Sequence, residues 1–433
     1  MDNENYLGIL LTKNGSEFYI VKYIGEGATS FVYLALDKNK REYALKLYID
    51  SESYFNEVNK LKNIISSEHI VKLISSGQGQ LVRGYSYYTY KLFNHFDTGP
   101  VEYGLFEYLK NGELQNYVFL LKKRFSEEIS RKIFLDILLA VETCHQSGIS
   151  HCDIKLQNIL LNSNFNLKLI DFGYAKNIKD GLISEITGSK FYNAPEMFSC
   201  ATKGYDGTLA DIFSLGVLLF VLVMGFYPFD KPNITDPKYK LILKKDFQGF
   251  WKKTEQKKLF SNNGSNSNNN FSATSEFKDL FENMICPKPK DRINISQIKK
   301  HPWLQEMSNY YGKSEVEEKV EINKKNIIFN EKKKINSPKT KVIKHLSHNP
   351  SFNKEEKKSE GNSENNSDTK SNNSDDLEQK IKNKKNSFYS EDNPQNINKN
   401  NSLKEFEIKY MKEFASRKIN IDKILKEQED YGD

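Results

Sequence analysis

Apolar residues near the start of the chain fall into two short runs, at residues 18–24 and 31–36, which are separated by a polar segment. Runs of this length with Gly25 and Gly27 between them are typical of two β-strands joined by a turn. Residues 43–46 alternate between the two faces of an extended chain, which favours a further strand. The first part of the chain therefore predicts a β-sheet.

Helical spacing occurs in two other places. Tyr54, Val58 and Leu61 predict one amphipathic helix. A second helix is predicted over residues 402–426, where Ser402 and Glu405 form a capping box. Its apolar stripe consists of Leu403, Phe406, Tyr410, Phe414, Ile421, Ile424 and Leu425. A helix with an apolar stripe and no domain of its own needs a partner surface. We expect this segment to dock, either onto the rest of the chain as an autoregulatory element or onto another protein.

The longest apolar run covers residues 212–224. It is shorter than the roughly 20 residues that a membrane-spanning helix needs. We therefore expect a buried core helix here.

Composition shifts twice along the 433 residues. The Asn/Ser-rich segment 261–270 cannot bury apolar surface, which predicts a disordered insert. Residues 305–401, rich in Lys, Asn, Ser and Glu, predict a disordered linker. A basic and apolar island at 327–343 could suit an acidic partner or a calcium sensor. Pro338 breaks any single helix there, so a solvated linker is the favoured interpretation.

Charge and cysteine content narrow the class of protein. A net charge of +7 with 28% charged residues does not indicate nucleic-acid binding. The four cysteines include no C-x-x-C pair, which argues against a structural zinc site and for a reducing compartment. The acidic first residues lack the basic region of a signal peptide, and Asp2 excludes N-myristoylation. We expect a cytoplasmic protein, with the nucleus left open, and neither a membrane nor a nucleic-acid partner.

Residues suited to phosphoryl transfer are concentrated at 151–173. The sequence H-C-D-I-K-L-Q-N occupies 151–158, and D-F-G occupies 171–173. Asp153 could accept the proton of an attacking hydroxyl, and Lys155 could neutralise the transferring phosphate. Asn158 and Asp171 offer the hard oxygen ligands that Mg²⁺ prefers.

These two motifs resemble the catalytic loop, H-R-D-x-x-x-x-N, and the metal loop, D-F-G, of the eukaryotic protein kinase family. Further segments resemble other motifs of that family in the same order. They are the glycine-rich loop at 25–32, Y-A-L-K at 43–46, a hinge at 106–114, A-P-E at 194–196, D-I-F-S-L-G at 211–216, an Arg at 292 and H-P-W-L at 301–304. Within the family, the spelling is most similar to the calcium/calmodulin- and AMP-regulated branch.

The resemblance covers residues 18–304 and implies an α+β fold with two lobes. The N-lobe, about 18–106, would hold the sheet and one helix, and the C-lobe, about 110–304, would be mostly helical. Residues 1–17 would then be an N-terminal extension. In the family, a peptide-docking surface is shaped by the A-P-E motif, here at 194–196, and by the distal Arg, here Arg292. Their presence disfavours a kinase for small molecules.

The resemblance also implies the residues that bind ATP. Gly25 and Gly27 would let the backbone approach the phosphates, and Lys46 would hold the α- and β-phosphates. Glu57 is the best candidate for the ion pair with Lys46, although the spacing leaves Glu52 open. The other pocket residues would be Val32, Ala44, Glu107, Leu109, Glu113, Leu160 and Asp171. Backbone groups of Glu107 and Leu109 would bond the adenine, and Glu113 would reach the ribose or a basic substrate residue.

Lys155, two residues after Asp153, and Ser189 before the A-P-E motif match the serine/threonine pattern of the family. The resemblance therefore implies a serine/threonine protein kinase that uses ATP and Mg²⁺. The alternative is a nucleotide-binding scaffold with weak or no catalysis. A scaffold has no need of Asp153, Asn158 and Asp171 together, so catalysis is the favoured interpretation.

One departure from the family concerns regulation. Cys152 stands where the family usually has an Arg that binds a phosphate on the activation segment, here the residues between Asp171 and Glu196, and a thiol cannot replace that charged fork. Glu185 lies about where the activating phosphosite falls. We expect that activity does not require phosphorylation of this segment. Cys152 itself could be a redox-sensitive thiol, but a buried inert cysteine is the favoured interpretation.

Overall fold

The computed structural model describes residues 6–84, 89–199, 203–255, 273–305 and 394–430. The predicted Asn/Ser-rich insert at 261–270, the linker between 306 and 393, and Cys200 lie outside the described residues.

Six antiparallel strands close a barrel that forms the N-lobe, in the order β1-β2-β3-β4-β6-β5. The strands are β1 (Gly8–Thr12), β2 (Glu17–Gly27), β3 (Ser30–Leu36), β4 (Glu42–Tyr48), β5 (Leu73–Arg83) and β6 (Gly99–Glu107). Phe31, Tyr33 and Ala35 of β3 are buried in the barrel core. Because side chains alternate along a strand, Val32 lies on the other face of β3.

The first strand comes from the segment that the sequence suggested to be an extension. In β1, Ile9 pairs with Tyr19 of β2 on one side and with Val82 of β5 on the other. Leu7 and Leu10 are buried in the barrel core. Residues 6–17 are therefore part of the N-lobe, because their short apolar run closes the sheet.

Helix α1 (Ser51–Asn63) packs beside the barrel. Asp50 caps its first turn by accepting a hydrogen bond from the Ser53 backbone amide, at 2.7 Å. Tyr54, Val58 and Leu61 are buried, as their spacing predicts. A short helix, α2 (Tyr90–Phe93), precedes β6.

The C-lobe is mostly helical and is built around α3 (Glu127–Gln146) and α4 (Gly207–Met224). Smaller helices surround them: α5 (Tyr239–Leu243), α6 (Phe247–Glu255), α7 (Ser275–Met284), α8 (Ile295–Lys299) and α9 (Pro302–Gln305). In the described residues, α4 is the one helix long and apolar enough to cross a membrane, but 89% of it is buried inside the protein. It is the core helix expected from the apolar run.

Short strands and turns near the lobe junction carry the motifs. The strands are β7 (Gly112–Glu113), β8 (Ile149–Ser150), β9 (Ile159–Leu161), β10 (Leu167–Leu169) and β11 (Lys176–Asn177). Strands β7, β9 and β10 form one sheet, and β8 pairs with β11. A π-helical segment, Asn116–Leu120, precedes α3.

The last described element is a helix, α10 (Pro394–Asp430). The predicted start at Ser402 is wrong, because the helix begins eight positions earlier and Ser402 lies inside it. Pro394 explains the earlier start, since proline suits the first turn of a helix. Of the predicted stripe, Phe406, Tyr410, Phe414 and Ile421 are buried against the C-lobe, whereas Leu425 is exposed.

A buried ion pair ties the activation segment to the C-lobe. Arg292 binds Glu196 through two parallel hydrogen bonds, Nη1 to Oε1 at 2.5 Å and Nη2 to Oε2 at 2.6 Å. The same guanidinium donates to the backbone carbonyls of Cys286 and Leu209, both at 2.8 Å. The side chain of Arg292 has no exposed surface. Replacing Arg292 would therefore remove the hydrogen-bond donor of Glu196 and of both carbonyls at once.

We predict that Arg292→Met lowers the free energy of unfolding by roughly 3–5 kcal/mol, because it leaves the Glu196 carboxylate buried without its partner. Lys38→Met is the matched control, since Lys38 and Glu17 form an exposed pair at 3.7 Å, and such pairs contribute about 0–1 kcal/mol. Urea unfolding followed by tryptophan fluorescence measures both. Equal losses in the two variants would contradict the prediction.

Candidate active site

The catalytic loop is anchored by the carboxylate of Asp211, which lies at the start of the buried helix α4. Asp211 Oδ2 accepts from the backbone amide of His151 at 2.9 Å, and Oδ1 accepts from that of Cys152 at 2.8 Å. The His145 Nε2 atom lies 2.8 Å from Oδ2. Cys152 has a φ of 62°, in the left-handed region. Two bonds to consecutive amides hold the backbone in this uncommon conformation.

Asp153 follows this turn and is held by three side chains. Its Oδ2 atom lies 2.7 Å from the Lys155 ammonium and accepts from Asn158 Nδ2 at 3.0 Å. Its Oδ1 atom accepts from the Ser189 hydroxyl at 2.9 Å. Lys155 also donates to the Ser189 hydroxyl at 3.0 Å. The structure therefore brings the three residues predicted for catalysis, Asp153, Lys155 and Asn158, into one network with the activation segment.

Gly188 allows this close approach. It has a φ of 74°, and a Cβ atom there would lie 2.5 Å from the Cys152 carbonyl oxygen. A residue with a side chain would therefore push Ser189 away from Asp153.

A second charged group joins the two lobes. The Lys46 ammonium lies 2.7 Å from Glu57 Oε2 and 3.1 Å from Asp171 Oδ1. The structure thus places Glu57, rather than Glu52, beside Lys46. Glu57 also accepts from the Tyr48 hydroxyl at 3.0 Å and from the Phe172 amide at 3.3 Å. Helix α1 is therefore fixed to both the sheet and the metal loop.

Charge neighbours set the protonation states in this group. Burial alone would lower the pKa of Lys46, but the negative charges of Glu57 and Asp171 outweigh burial and raise that pKa. The charge of Lys46 holds the pKa of Asp171 below its usual value, against the opposing effect of burial. Both groups are therefore charged near neutral pH, as phosphate and metal binding require.

The expected nucleotide pocket lies between the lobes. Gly25 pairs with Val32, and Gly27 pairs with Ser30, so the glycine-rich turn is the end of a hairpin. A Cβ atom at Gly25 would meet open space, so packing within the protein does not require a glycine there. Val32 and Ala44 are half-buried on the strand faces opposite to the barrel core.

The other predicted pocket residues lie on the C-lobe side and at the hinge. Leu160 pairs with Glu113 across β7 and β9 and is half-buried. The Glu107 carboxylate binds Lys168 at 2.9 Å and the Lys72 amide at 2.8 Å. The Glu107 amide donates to the Lys72 carbonyl at 3.1 Å, so this backbone donor already has a partner within the protein. The Leu109 carbonyl accepts from the Gly112 amide at 3.1 Å.

Glu113 lies on the side of the pocket that faces the catalytic loop. Burial raises the pKa of Glu113, and the charge of Lys155 lowers it in part. The carboxylate therefore lies within electrostatic reach of the Lys155 ammonium.

Asn158 and Asp171 fit the expected metal. The Asn158 amide nitrogen donates to the Asp153 carbonyl at 2.8 Å as well as to its carboxylate, so the amide oxygen is the atom available to a metal. Asp171 is ionised, and Mg²⁺ is held by few carboxylates together with substrate phosphates. Within the described residues, no group of three or more His, Cys, Asp or Glu could hold a metal ion by itself. A magnesium site in which substrate phosphates supply some of the ligands does not need such a group.

Cys152 and Glu185 bear on regulation. Cys152 is buried, and burial raises the pKa of its thiol, which favours an inert cysteine. Glu185 is exposed and lies 2.9 Å from the ammonium of Lys176. A negative charge on the activation segment thus already has a cationic partner.

Three residues of the site were not singled out for these roles from the sequence. Tyr48 binds Glu57, Asp211 anchors the catalytic loop and His145 binds Asp211. The signal for Asp211 was its place at the head of the longest apolar run, since a buried carboxylate needs hydrogen-bond donors. Tyr48 and His145 bind residues of other secondary-structure elements, so local sequence patterns do not predict these contacts.

Comparison with known proteins gives a consistent result. The family model described as protein kinase domain matches residues 18–304. CBL-interacting protein kinase 10 of Oryza sativa subsp. japonica is 32% identical over 66% of this chain and 56% of its own length. Serine/threonine-protein kinase SIK2 of Gallus gallus is 33% identical over 66% of this chain and 32% of its own length. CBL-interacting serine/threonine-protein kinase 19 of Arabidopsis thaliana is 37% identical over 57% and 48%. The chain thus spans about half or less of the length of the curated relatives it matches.

We predict that Tyr48→Phe lowers the free energy of unfolding by roughly 1.5–3 kcal/mol, because it removes a buried hydrogen bond to a carboxylate. Tyr23→Phe is the matched control, since the Tyr23 hydroxyl donates to Glu26 at 3.0 Å in an exposed position. Thermal unfolding monitored by circular dichroism compares the two variants. If Tyr23→Phe lost as much stability as Tyr48→Phe, the buried hydrogen bond would contribute no more to stability than the exposed one, contrary to the prediction.

Proposed function

The chain belongs to the protein kinase family, and on this premise we propose that it transfers the γ-phosphate of ATP to serine or threonine hydroxyls of protein substrates. The observation that carries the proposal is the network of Asp153, Lys155, Asn158 and Ser189, with Lys46, Glu57 and Asp171 beside the same cleft. The names of the relatives, which are those of serine/threonine-protein kinases, support the same class.

In the proposed reaction, the substrate hydroxyl oxygen forms a bond to the γ-phosphorus, and the bond from the γ-phosphorus to the bridging oxygen of ADP breaks. Asp153 orients the hydroxyl and accepts its proton. Lys155 lies at the same carboxylate and balances the charge of the transferring group. Lys46, kept cationic by two carboxylates, holds the α- and β-phosphates. Mg²⁺ held by Asn158 and Asp171 would supply positive charge to the phosphates.

A protein substrate is favoured by the order of the activation segment. Ser189 binds the catalytic pair at one end, and Glu196 is fixed by Arg292 at the other. The backbone between them can act as a shelf for an extended peptide. Ser189 joins Asp153 to Lys155, which is the pattern of serine/threonine specificity in the family.

The fixed charge on the activation segment supports activity without phosphorylation of that segment. Cys152 cannot bind a phosphate, and Glu185 already pairs with Lys176 at 2.9 Å. The carboxylate therefore supplies the negative charge that a phosphate would otherwise bring.

We predict that Asp153→Asn lowers the rate of phosphate transfer from ATP by a factor of about 10² to 10⁴, because it removes the proton acceptor. Asp180→Asn is the matched control on the same lobe, where the exposed carboxylate accepts from Asn177. Transfer of labelled phosphate to myelin basic protein and to the chain itself measures both. A wild-type chain that binds ATP and transfers nothing would be a nucleotide-binding scaffold, the alternative function.

We also predict that phosphatase treatment and Ser184→Ala, at an exposed position, each change kcat/KM by no more than about fivefold, the equivalent of roughly 1 kcal/mol. Glu185→Lys should lower activity, because it places a second cation beside Lys176. Glu68→Lys at an exposed position is its control. Ser189 is kept unchanged because its hydroxyl touches Asp153. Activation by orders of magnitude on phosphorylation of Ser184 or Thr187 would contradict the prediction.

A further inference from the structure

Helix α10 is seated on an aromatic surface of the C-lobe. Phe414 has no exposed surface, and its ring lies 5.2 Å from Tyr117, 5.2 Å from Phe125 and 5.9 Å from Phe165. These three rings belong to the π-helical segment, the residues before α3 and the turn between β9 and β10. We call them the aromatic seat. Burial of a whole aromatic side chain among three others makes Phe414 the apolar anchor of the contact.

Arg417 adds a polar contact that is specific to this place. Its Nη1 atom donates to the Tyr117 carbonyl at 2.6 Å and to the Lys123 carbonyl at 2.7 Å, and Nη2 donates to the Arg124 carbonyl at 2.8 Å. Its Nε atom donates to Glu413 Oε1 at 2.8 Å. The guanidinium carbon lies 3.9 Å from the centroid of the Phe125 ring. Arg417 is 2% exposed.

The geometry explains why an arginine is needed there. The chain between the π-helical segment and α3 is irregular, and Lys122 has a φ of 48°. Carbonyl groups in such a turn are not paired within a helix, and buried ones need a donor. A single guanidinium offers several donors in a fixed plane, whereas an ammonium is a point charge. Arg417 therefore completes the hydrogen bonding of a turn that lies about 300 residues earlier in the sequence.

The same turn leads to the proposed nucleotide site. Tyr117, whose carbonyl binds Arg417, donates its hydroxyl to the Asn111 carbonyl at 2.9 Å. The Asn111 amide in turn donates to Leu161 at 3.0 Å, and Gly112 donates to Leu109. Tyr117 thus connects the docked helix to the hinge-end turn, residues 109–113, whose last residue is Glu113.

Charge complementarity agrees with docking in this orientation. Lys409 pairs with Glu128, and Glu413 lies 3.6 Å from Lys123. Residues 409–417 make these contacts to residues 117–128 and to Phe165, which are different residues from those of the catalytic network. The position supports the hinge end of the cleft rather than covering Asp153.

We propose that the segment 394–430 is an intramolecular ligand of the C-lobe, and that Arg417 acts through Tyr117 to hold the hinge-end turn in the conformation that binds the nucleotide. Arg417 is a positioning residue, and the helix is a supporting element rather than an inhibitory one. This inference deepens the proposed function and rests on it.

The test compares Arg417→Met with Lys423→Met in the full-length chain. Both variants remove one positive charge from α10, but the Lys423 side chain is 76% exposed. In Arg417→Met we expect the Kd for Mg-ADP and the KM for ATP to rise about tenfold, because the three hydrogen bonds from the guanidinium to the carbonyls of the turn are lost. We expect kcat at saturating ATP to change little. Amide hydrogen exchange should accelerate in residues 109–125. Lys423→Met should match the wild type in all four readouts.

Arg417→Lys serves as a second variant if Arg417→Met does not fold. It keeps the charge and loses the planar fork, so we expect an intermediate Kd for Mg-ADP. A higher kcat with an unchanged Kd would show an autoinhibitory helix and overturn the proposal. Unchanged Kd, KM and exchange would overturn it as well. A dimeric mass in solution, with exchange of α10 between copies, would overturn its intramolecular part.

The two proposals fail in different ways. If the wild type binds Mg-ADP and transfers no phosphate, the proposed function fails, and the effect of Arg417→Met on the Kd still decides the role of the helix. If transfer occurs normally and Arg417→Met leaves the Kd unchanged, only the proposed role of the helix fails.

Discussion

The active site depends on one buried carboxylate, that of Asp211. It accepts hydrogen bonds from the backbone amides of His151 and Cys152, and these bonds hold Cys152 of the catalytic loop in the left-handed region. Asp153 follows directly, so the direction of its side chain is set by this anchor. Because Asp211 lies near the start of a helix whose apolar residues fill the C-lobe, the packing of that core affects the position of Asp153, the proposed proton acceptor. Catalytic geometry is thus a property of the core as much as of the cleft.

The second constraint is the group of charges between the lobes. Lys46 comes from the sheet, Glu57 from helix α1 and Asp171 from the metal loop. Each would be costly to bury alone, and together they are mutually compensated. The arrangement therefore exists only when the three elements are correctly placed, and any movement of α1 would take the Glu57 carboxylate away from Lys46. Tyr48 adds a neutral donor that keeps Glu57 oriented.

Sequence and structure agree best where chemistry is local. Asp153, Lys155 and Asn158 lie within six positions of one another, so a sequence motif is enough to predict that they lie together, and the structure places them in one network. Contacts between distant parts of the chain could not be predicted in this way. Arg417 binds carbonyls about 300 positions away, and nothing near it in the sequence reveals them. The start of α10 was placed wrongly because a capping box at Ser402 can also occur inside a helix, where its neighbours already supply the hydrogen bonds. Strand β1 was missed because five residues are too few for a periodic signal to stand out.

The closed barrel of the N-lobe has a consequence for recognition. Most sheets end in edge strands with free backbone groups, and other chains can attach there by adding a strand. Here β1 joins β2 to β5, so the described N-lobe sheet has no such edge. A protein that recognises this lobe cannot do so by adding a strand to the described sheet. Closure also delays the completion of the sheet during synthesis. Strand β1 precedes β5, its second partner, which is complete only about 70 residues later.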